Sequence, residues 1–194
     1  DYDKVIFKGD SSEVFSNLCI KVSNQNTKLI FDNFSFSSSK ATPLIESAFD
    51  ISIECKGTNK LLSASSSVDS LIKSLGTIEF KGNDKSLLLL QPNGIMTVDC
   101  AIVRANEVVI SGGNIEIGKS DCCNNSTAGR SGGNGSTGIK ANVIVKNNAV
   151  VTITAGNGAN GNNGQDNSKN KANKGTTNGA PWGAAGDGDP GIPG

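Results

Sequence analysis

The residues best placed to do chemistry are charged side chains that recur at one position of a repeating segment. Lys21, Glu46, Lys73, Arg104 and Lys140 each follow an apolar residue, in Ile20-Lys21-Val22-Ser23, Ile45-Glu46-Ser47, Ile72-Lys73-Ser74, Val103-Arg104-Ala105-Asn106 and Ile139-Lys140-Ala141-Asn142. If these segments are strands stacked in register, the charges stand in one column at about 4.8 Å intervals. A mainly basic stripe of this kind, with Lys21, Lys73, Arg104 and Lys140 as its cations, suits a long anionic glycan carrying regularly spaced carboxylates or sulfates. The competing reading is that exposed strand lysines serve solubility and discourage stray strand pairing.

Hydrolytic chemistry has little to work with. The chain contains no His, so the usual base for a serine or cysteine nucleophile is missing. Glycoside hydrolysis needs two carboxylates across a sugar, and no motif singles out such a pair. The acidic residues are instead spread along strand exteriors. A β-helix lyase would need a cationic base beside calcium-binding acids; of the two arginines, Arg104 and Arg130, Arg104 is the one residue to name for that role. Asp187 and Asp189 in GDGDPG offer oxygen ligands to calcium, although the Glu that completes an EF-hand loop is absent. The expectation is no cofactor, with calcium the one candidate, and a protein that is not an enzyme.

Five cysteines, Cys19, Cys55, Cys100, Cys122 and Cys123, match no zinc spacing without His. One or two disulfides in an oxidising compartment are expected, with the odd thiol left free or joined to another chain. A bridge between the adjacent Cys122 and Cys123 would be strained, so a bond from this pair to Cys100 or to a neighbouring molecule is preferred. Alternatively, Cys19, Cys55 and Cys100 are small buried hydrophobes. Glycosylation sequons occur at Asn33, Asn124, Asn125 and Asn134.

These residues need a scaffold, and the sequence supplies one by repetition. After each first segment comes a second: Leu29-Ile30-Phe31-Asp32, Ile51-Ser52-Ile53-Glu54, Ile78-Glu79-Phe80-Lys81, Val108-Val109-Ile110-Ser111 and Val143-Ile144-Val145-Lys146. A third follows: Phe34-Ser35-Phe36, Leu61-Leu62-Ser63, residues 87–90, Ile115-Glu116-Ile117 and Val151-Thr152-Ile153-Thr154. Apolar and polar residues alternate within the segments, the period of a strand with one buried face. Three segment types in fixed order predict a right-handed parallel β-helix of about five three-strand coils. The inward ladder expected on the second side is Phe31, Ile53, Phe80, Ile110 and Val145. A β-sandwich is the alternative, since it too is built from short alternating strands. Residues 92–97 fit neither scheme and are expected as an extra short strand or a bulged corner.

The 194 residues divide by composition. Residues 1–155 hold nearly all the Ile, Leu, Val and Phe and form the expected β-helix, with an Asn/Ser/Gly-rich loop insertion over residues 119–137. Residues 156–194 are glycine-rich and cannot build a core. Their triplet spacing, Gly158, Gly161, Gly164 and then GDP-GIP-G, is the three-residue period of extended polyproline-II-like strands. Lys+Arg and Asp+Glu balance at 18 each, so no long-range field favours nucleic acid. No apolar run approaches the roughly 18 residues needed to cross a bilayer as a helix. The start at Asp1 reads as a trimmed end after signal-peptide removal, and the end at Gly194 as a parent chain that continues.

The segments KLIFDNFSFSSSKATPLIES, DISIECKGTNKL, SLIKSLGTIEFKG and EVVISGGNIEI resemble a family of secreted bacterial β-helix proteins described as carbohydrate-binding-domain-containing. The resemblance covers about half of the chain and implies a polysaccharide-lyase-like shape without catalysis, an extracellular setting, and plant-polysaccharide binding, with calcium in some members. It carries no individual residue role. Together these readings predict an extracellular or cell-surface structural or adhesive subunit that assembles into a homo-oligomer or filament. The alternatives are an acidic-glycan-binding module and, third, a β-helix polysaccharide lyase.

Overall fold

A computed structural model describes residues 3–65, 67–92, 95–96, 100–119, 121–122, 137–154 and 156. The described chain is all strand and turn. It opens with β1 (Asp3–Lys8), then β2 (Ile20–Val22), β3 (Thr27–Asp32) and β4 (Phe36–Ser38). β2, β3 and β4 form one level above β1; the next holds β5 (Ile45–Ser47), β6 (Ile51–Lys56) and β7 (Thr58–Ser63), and the one after it β8 (Ile72–Ser74), β9 (Thr77–Lys81) and β10 (Leu87–Gln91). After β11 (Ile95–Met96) come β12 (Ala101–Ile110), β13 (Asn114–Ile117), β14 (Asp121–Cys122), β15 (Thr137–Val145) and β16 (Val150–Ile153). Every paired strand is parallel to its neighbour one level away. That pattern excludes the β-sandwich, whose sheets are antiparallel, and makes the protein a parallel β-solenoid of about four turns.

The first side stacks β2, β5, β8 and the first halves of β12 and β15. The second stacks β1, β3, β6, β9 and the second halves of β12 and β15. The third stacks β4, β7, β10, β13 and β16. β12 and β15 run through two sides as continuous strands, with a register irregularity between Arg104 and Glu107 marking the bend. Residues 95–96 are the extra short strand, paired with β14 as Ile95↔Asp121 and Met96↔Cys122.

Inward residues form columns. On the second side the observed ladder is Val5–Leu29–Ile53–Phe80–Ile110–Val145. Leu29 thus replaces the expected Phe31, which pairs with Phe7 and Cys55 in the next column. The slip is of two residues, so both side chains still face inward, because strand faces alternate with period two. On the third side Phe36, Leu61, Leu90, Ile117 and Ile153 align. The lower bore is filled by rings: Phe7, Phe15, Phe31, Phe34 and Phe36 lie with centroids 5.0 to 6.0 Å apart.

Corners are made by residues that accept a left-handed backbone. Asn26 (φ 54°) joins β2 to β3, and Asn147 and Asn148 (φ 53° and 56°) join β15 to β16. At the corner between second and third sides, Asn33 (φ 51°) stands one level from Gly57 (φ 62°). The Asn33 N–H donates to the Lys56 carbonyl at 3.0 Å, and its Oδ1 accepts the Thr58 N–H at 3.2 Å. A Cβ on Gly57 would lie 2.1 Å from that Oδ1. Gly57→Ala therefore combines a strained φ with loss of the Asn33 contact, and a drop of about 1–3 kcal/mol in unfolding free energy is expected from urea titration.

Candidate functional site

The charged column is in register. Lys21 pairs with Glu46, Glu46 with Lys73, Lys73 with Arg104, and Arg104 with Lys140. It crosses the outer face of the first side because each charged residue lies between two inward residues, as in Ile45-Glu46-Ser47 with Ile45 and Ser47 buried. Lys21 and Lys140 are exposed; Glu46, Lys73 and Arg104 are half-buried. Two acids temper the stripe. Glu46 sits between two lysines, and Lys73 Nζ pairs with Asp69 Oδ2 at 3.3 Å.

Beside Lys21, Glu46 and Lys73 runs a surface groove of about 520 Å³, with Phe49 and Leu75 as its apolar wall. Leu75 is 64% exposed. Buried serines hold the corner behind it: Ser47 Oγ donates to the Phe49 carbonyl at 2.9 Å and accepts the Phe49 N–H at 3.0 Å. Ser74 Oγ, one level on, donates to the same carbonyl at 2.7 Å and accepts the Gly76 N–H at 3.0 Å. A groove with alternating charges and an apolar wall can bind a polar chain.

The outer face of the second side carries separate ion pairs. Lys28 Nζ contacts Glu54 Oε2 and Lys56 Nζ lies 3.8 Å from Glu54 Oε1; Lys81 Nζ lies 2.9 Å from Glu79 Oε2. The hydrogen bond from Lys28 holds the Glu54 carboxyl below its ordinary range, aided by the charges of Lys28, Lys56 and Lys4 and opposed by partial desolvation. A carboxylate with a depressed folded pKa stabilises the fold above its unfolded value, near pH 4.3, and that contribution is lost as pH falls through the folded value. Glu54→Gln is expected to flatten the acid limb of a stability profile between pH 5 and 3, measured by urea midpoints at each pH.

Cys19 and Cys55 are thiols. Cys19 Sγ donates to Ser38 Oγ at 3.2 Å. Cys55 points into the bore beside Phe31, and burial pushes its pKa up to about 12, with the Glu54 charge adding to the rise. Cys55 and Cys100, each at most 5% exposed, occupy core positions as the small hydrophobes of the alternative reading. Cys122 forms the last residue of β14, and Cys123 lies outside the described residues. Of the sequons, Asn33 is committed to its corner, its Nδ2 donating to Asp32 Oδ1 at 3.2 Å; Asn124, Asn125 and Asn134 lie outside the described residues. So do Asp187, Asp189 and residues 157–194 of the glycine-rich tail. Among the described residues no group of three or more acidic or cysteine side chains is arranged to hold a metal.

The two ends of the solenoid form a second candidate surface. Ten large hydrophobic residues are exposed among those described. Val5, Ile6, Val14 and Phe15 belong to the first level; Val143, Ile144, Val145, Val150 and Ile153 belong to the last. Only Leu75 lies between. Both ends also offer strand edges, β1 at one and β15 and β16 at the other.

No family model matches the chain, and no curated protein or solved structure is significantly similar to it. The likeness noted in residues 28–118 therefore rests on the solenoid shape alone. No helix of the described residues is long and apolar enough to cross a membrane.

Sequence reasoning missed three features here. The groove wall of Phe49 and Leu75 was invisible because both follow the strand segments. The serine corner left a faint signal, the repeated Ile-x-Ser of residues 45–47 and 72–74. Asn59 left none: it is fully buried in a column it shares with Leu88, Ile115 and Val151.

Proposed function

We propose that this protein is a non-enzymatic extracellular structural or adhesive subunit that self-associates through the ends of its solenoid. The observation that carries the reading is the confinement of nine of the ten exposed large hydrophobics among the described residues to the two terminal levels. Exposed apolar patches of that kind mark interaction surfaces, and an unpaired strand edge is a template for another chain. Sedimentation velocity across a concentration series, with negative-stain microscopy, tests it. Linear species that lengthen with concentration are expected; a monodisperse monomer at every concentration would overturn the proposal. Repeating the series with reductant asks whether the odd cysteine contributes to the contact.

A second reading, binding of an acidic polysaccharide, is favoured by the in-register column of Lys21, Lys73, Arg104 and Lys140 and by the family resemblance. It expects retention on a polyuronate matrix that weakens with salt and falls several-fold in Lys21→Glu/Lys140→Glu. The lyase reading rests on Arg104 alone and expects unsaturated sugar products.

A further inference from the structure

Resting on the end-association reading, we infer that the partner of each end is the opposite end of a second copy, in one register that continues the existing columns. The two ends of each column are the residues left exposed. One column runs Val5–Leu29–Ile53–Phe80–Ile110–Val145, with Val5 43% and Val145 53% exposed. The other runs Phe15–Phe36–Leu61–Leu90–Ile117–Ile153, with Phe15 43% and Ile153 47% exposed. Everything between them is buried. A second copy placed one strand spacing beyond β15 and β16, about 4.8 Å, sets its Val5 on Val145 and its Phe15 on Ile153. Both columns then pass through the joint without a change of period.

The polarity of the strands selects the same arrangement. A head-to-tail copy meets β15 in parallel, as every paired strand within the protein does. Outward residues alternate acceptably across the joint: Lys4 of the next copy falls beside Ile144, and Ile6 beside Lys146, so no like charges meet. A head-to-head contact would pair β1 with its own copy antiparallel. Of the registers that keep inward residues inward, the one centred on Ile6 sets Lys4 opposite Lys8, a like-charge pair that disfavours it. Head-to-tail contact is heterologous and does not close, so it generates a filament and not a dimer. The joint has one poor pair, Asp3 beneath Val143, which weakens it at the rim.

The joint also leaves a window. The first level has β1 on the second side and the Phe15 bridge on the third, but no described strand above β2 on the first. The mouth there, about 480 Å³, is lined by Val5, Phe7, Ile20, Val22 and Leu29. In the stack it becomes a lateral opening one strand tall, with Lys140 of one copy on one lip and Lys21 of the next on the other.

Cysteine cross-linking of the full chain tests the register. Paired strand residues one spacing apart fall within disulfide reach; Val5, Val145 and Ile153 are exposed, whereas Phe15 also stacks on the buried Phe34 with centroids 5.0 Å apart, so folding of the Phe15→Cys variants is checked by urea titration. Val5→Cys/Val145→Cys and, independently, Phe15→Cys/Ile153→Cys are expected to give a ladder of covalent dimers, trimers and longer species on mild oxidation. Each single variant should match wild type. Asp3→Val is expected to lower the concentration needed for assembly several-fold. If wild type assembles while both double variants stay uncross-linked, or if a single variant dimerises with itself, the register is overturned and end association survives. If wild type remains monomeric because residues 157–194 of its own chain cover β15, both readings fail, and faster hydrogen exchange in β15 on deleting those residues would identify that outcome.

Discussion

Phe36→Ala is expected to lower the unfolding free energy by about 3–5 kcal/mol, the range for emptying a well-packed aromatic site. Phe36 is fully buried and its ring centroid lies 5.9 Å from that of Phe31 and 5.6 Å from that of Phe34. It also occupies a stacked column, between Phe15 on one level and Leu61 on the next. Its neighbours are fixed by backbone ladders on three sides, so they cannot collapse into the space. Since a domain of this size holds only about 5–15 kcal/mol in total, the loss is a large share of the whole. Solenoid levels contact only their neighbours, so the damage should be local. Hydrogen exchange is expected to rise in β3, β4 and β7 while β12 and β13 keep their protection. A urea-derived loss below about 1 kcal/mol would show that the ring cluster adapts freely, and the packing account would fail.

Asn59→Ala is expected to cost about 3 kcal/mol, from lost hydrogen bonds and one orphaned donor. Asn59 Oδ1 accepts the Phe34 N–H at 2.9 Å, while Nδ2 donates to the Lys56 carbonyl at 3.1 Å and to the Gly57 and Leu87 carbonyls at 3.3 and 3.4 Å. One carboxamide thus ties three levels together inside the bore. The carbonyls of Lys56 and Gly57 keep other partners, the N–H groups of Asn33 and Leu87. The Phe34 N–H is the group left stranded. Asn59→Leu separates the two contributions, because it puts at this place the side chain that Leu88 carries at the adjoining place of the column. Leucine restores volume and gains apolar burial worth about 1.5–3 kcal/mol, yet leaves the Phe34 donor unmet. The expected order is wild type, then Leu, then Ala. A leucine variant at least as stable as wild type would remove the hydrogen-bond argument.

Asn59 also marks where the sequence stopped being legible. Its segment, Thr58–Ser63, is legible from Leu61 onward, because the adjacent Leu61 and Leu62 give an apolar signal and a buried asparagine gives none. The charged column was legible throughout: Lys21, Glu46 and Lys73 each sit at the centre of a three-residue strand, and Arg104 and Lys140 each follow an apolar residue in the same way, which leaves little room for a slip. β3 has six residues and two inward aromatic or aliphatic candidates, so Leu29 and Phe31 could not be told apart by alternation. The ends were illegible for a different reason. Val145 and Ile110 have the same sequence signature, and only the absence of a described strand beyond β15 distinguishes an exposed valine from a buried isoleucine.

The separation of end faces from middle levels bears on how such a protein changes length. The residues that meet solvent at the ends belong to β1, the Phe15 bridge, β15 and β16, whereas β5 through β10 contact only their neighbouring levels. Duplication or loss of one middle level would lengthen or shorten the body by about 4.8 Å and leave both terminal faces untouched. Variants of different length could therefore share the same terminal chemistry, and size would be free to drift in a lineage while mutual recognition stayed constant.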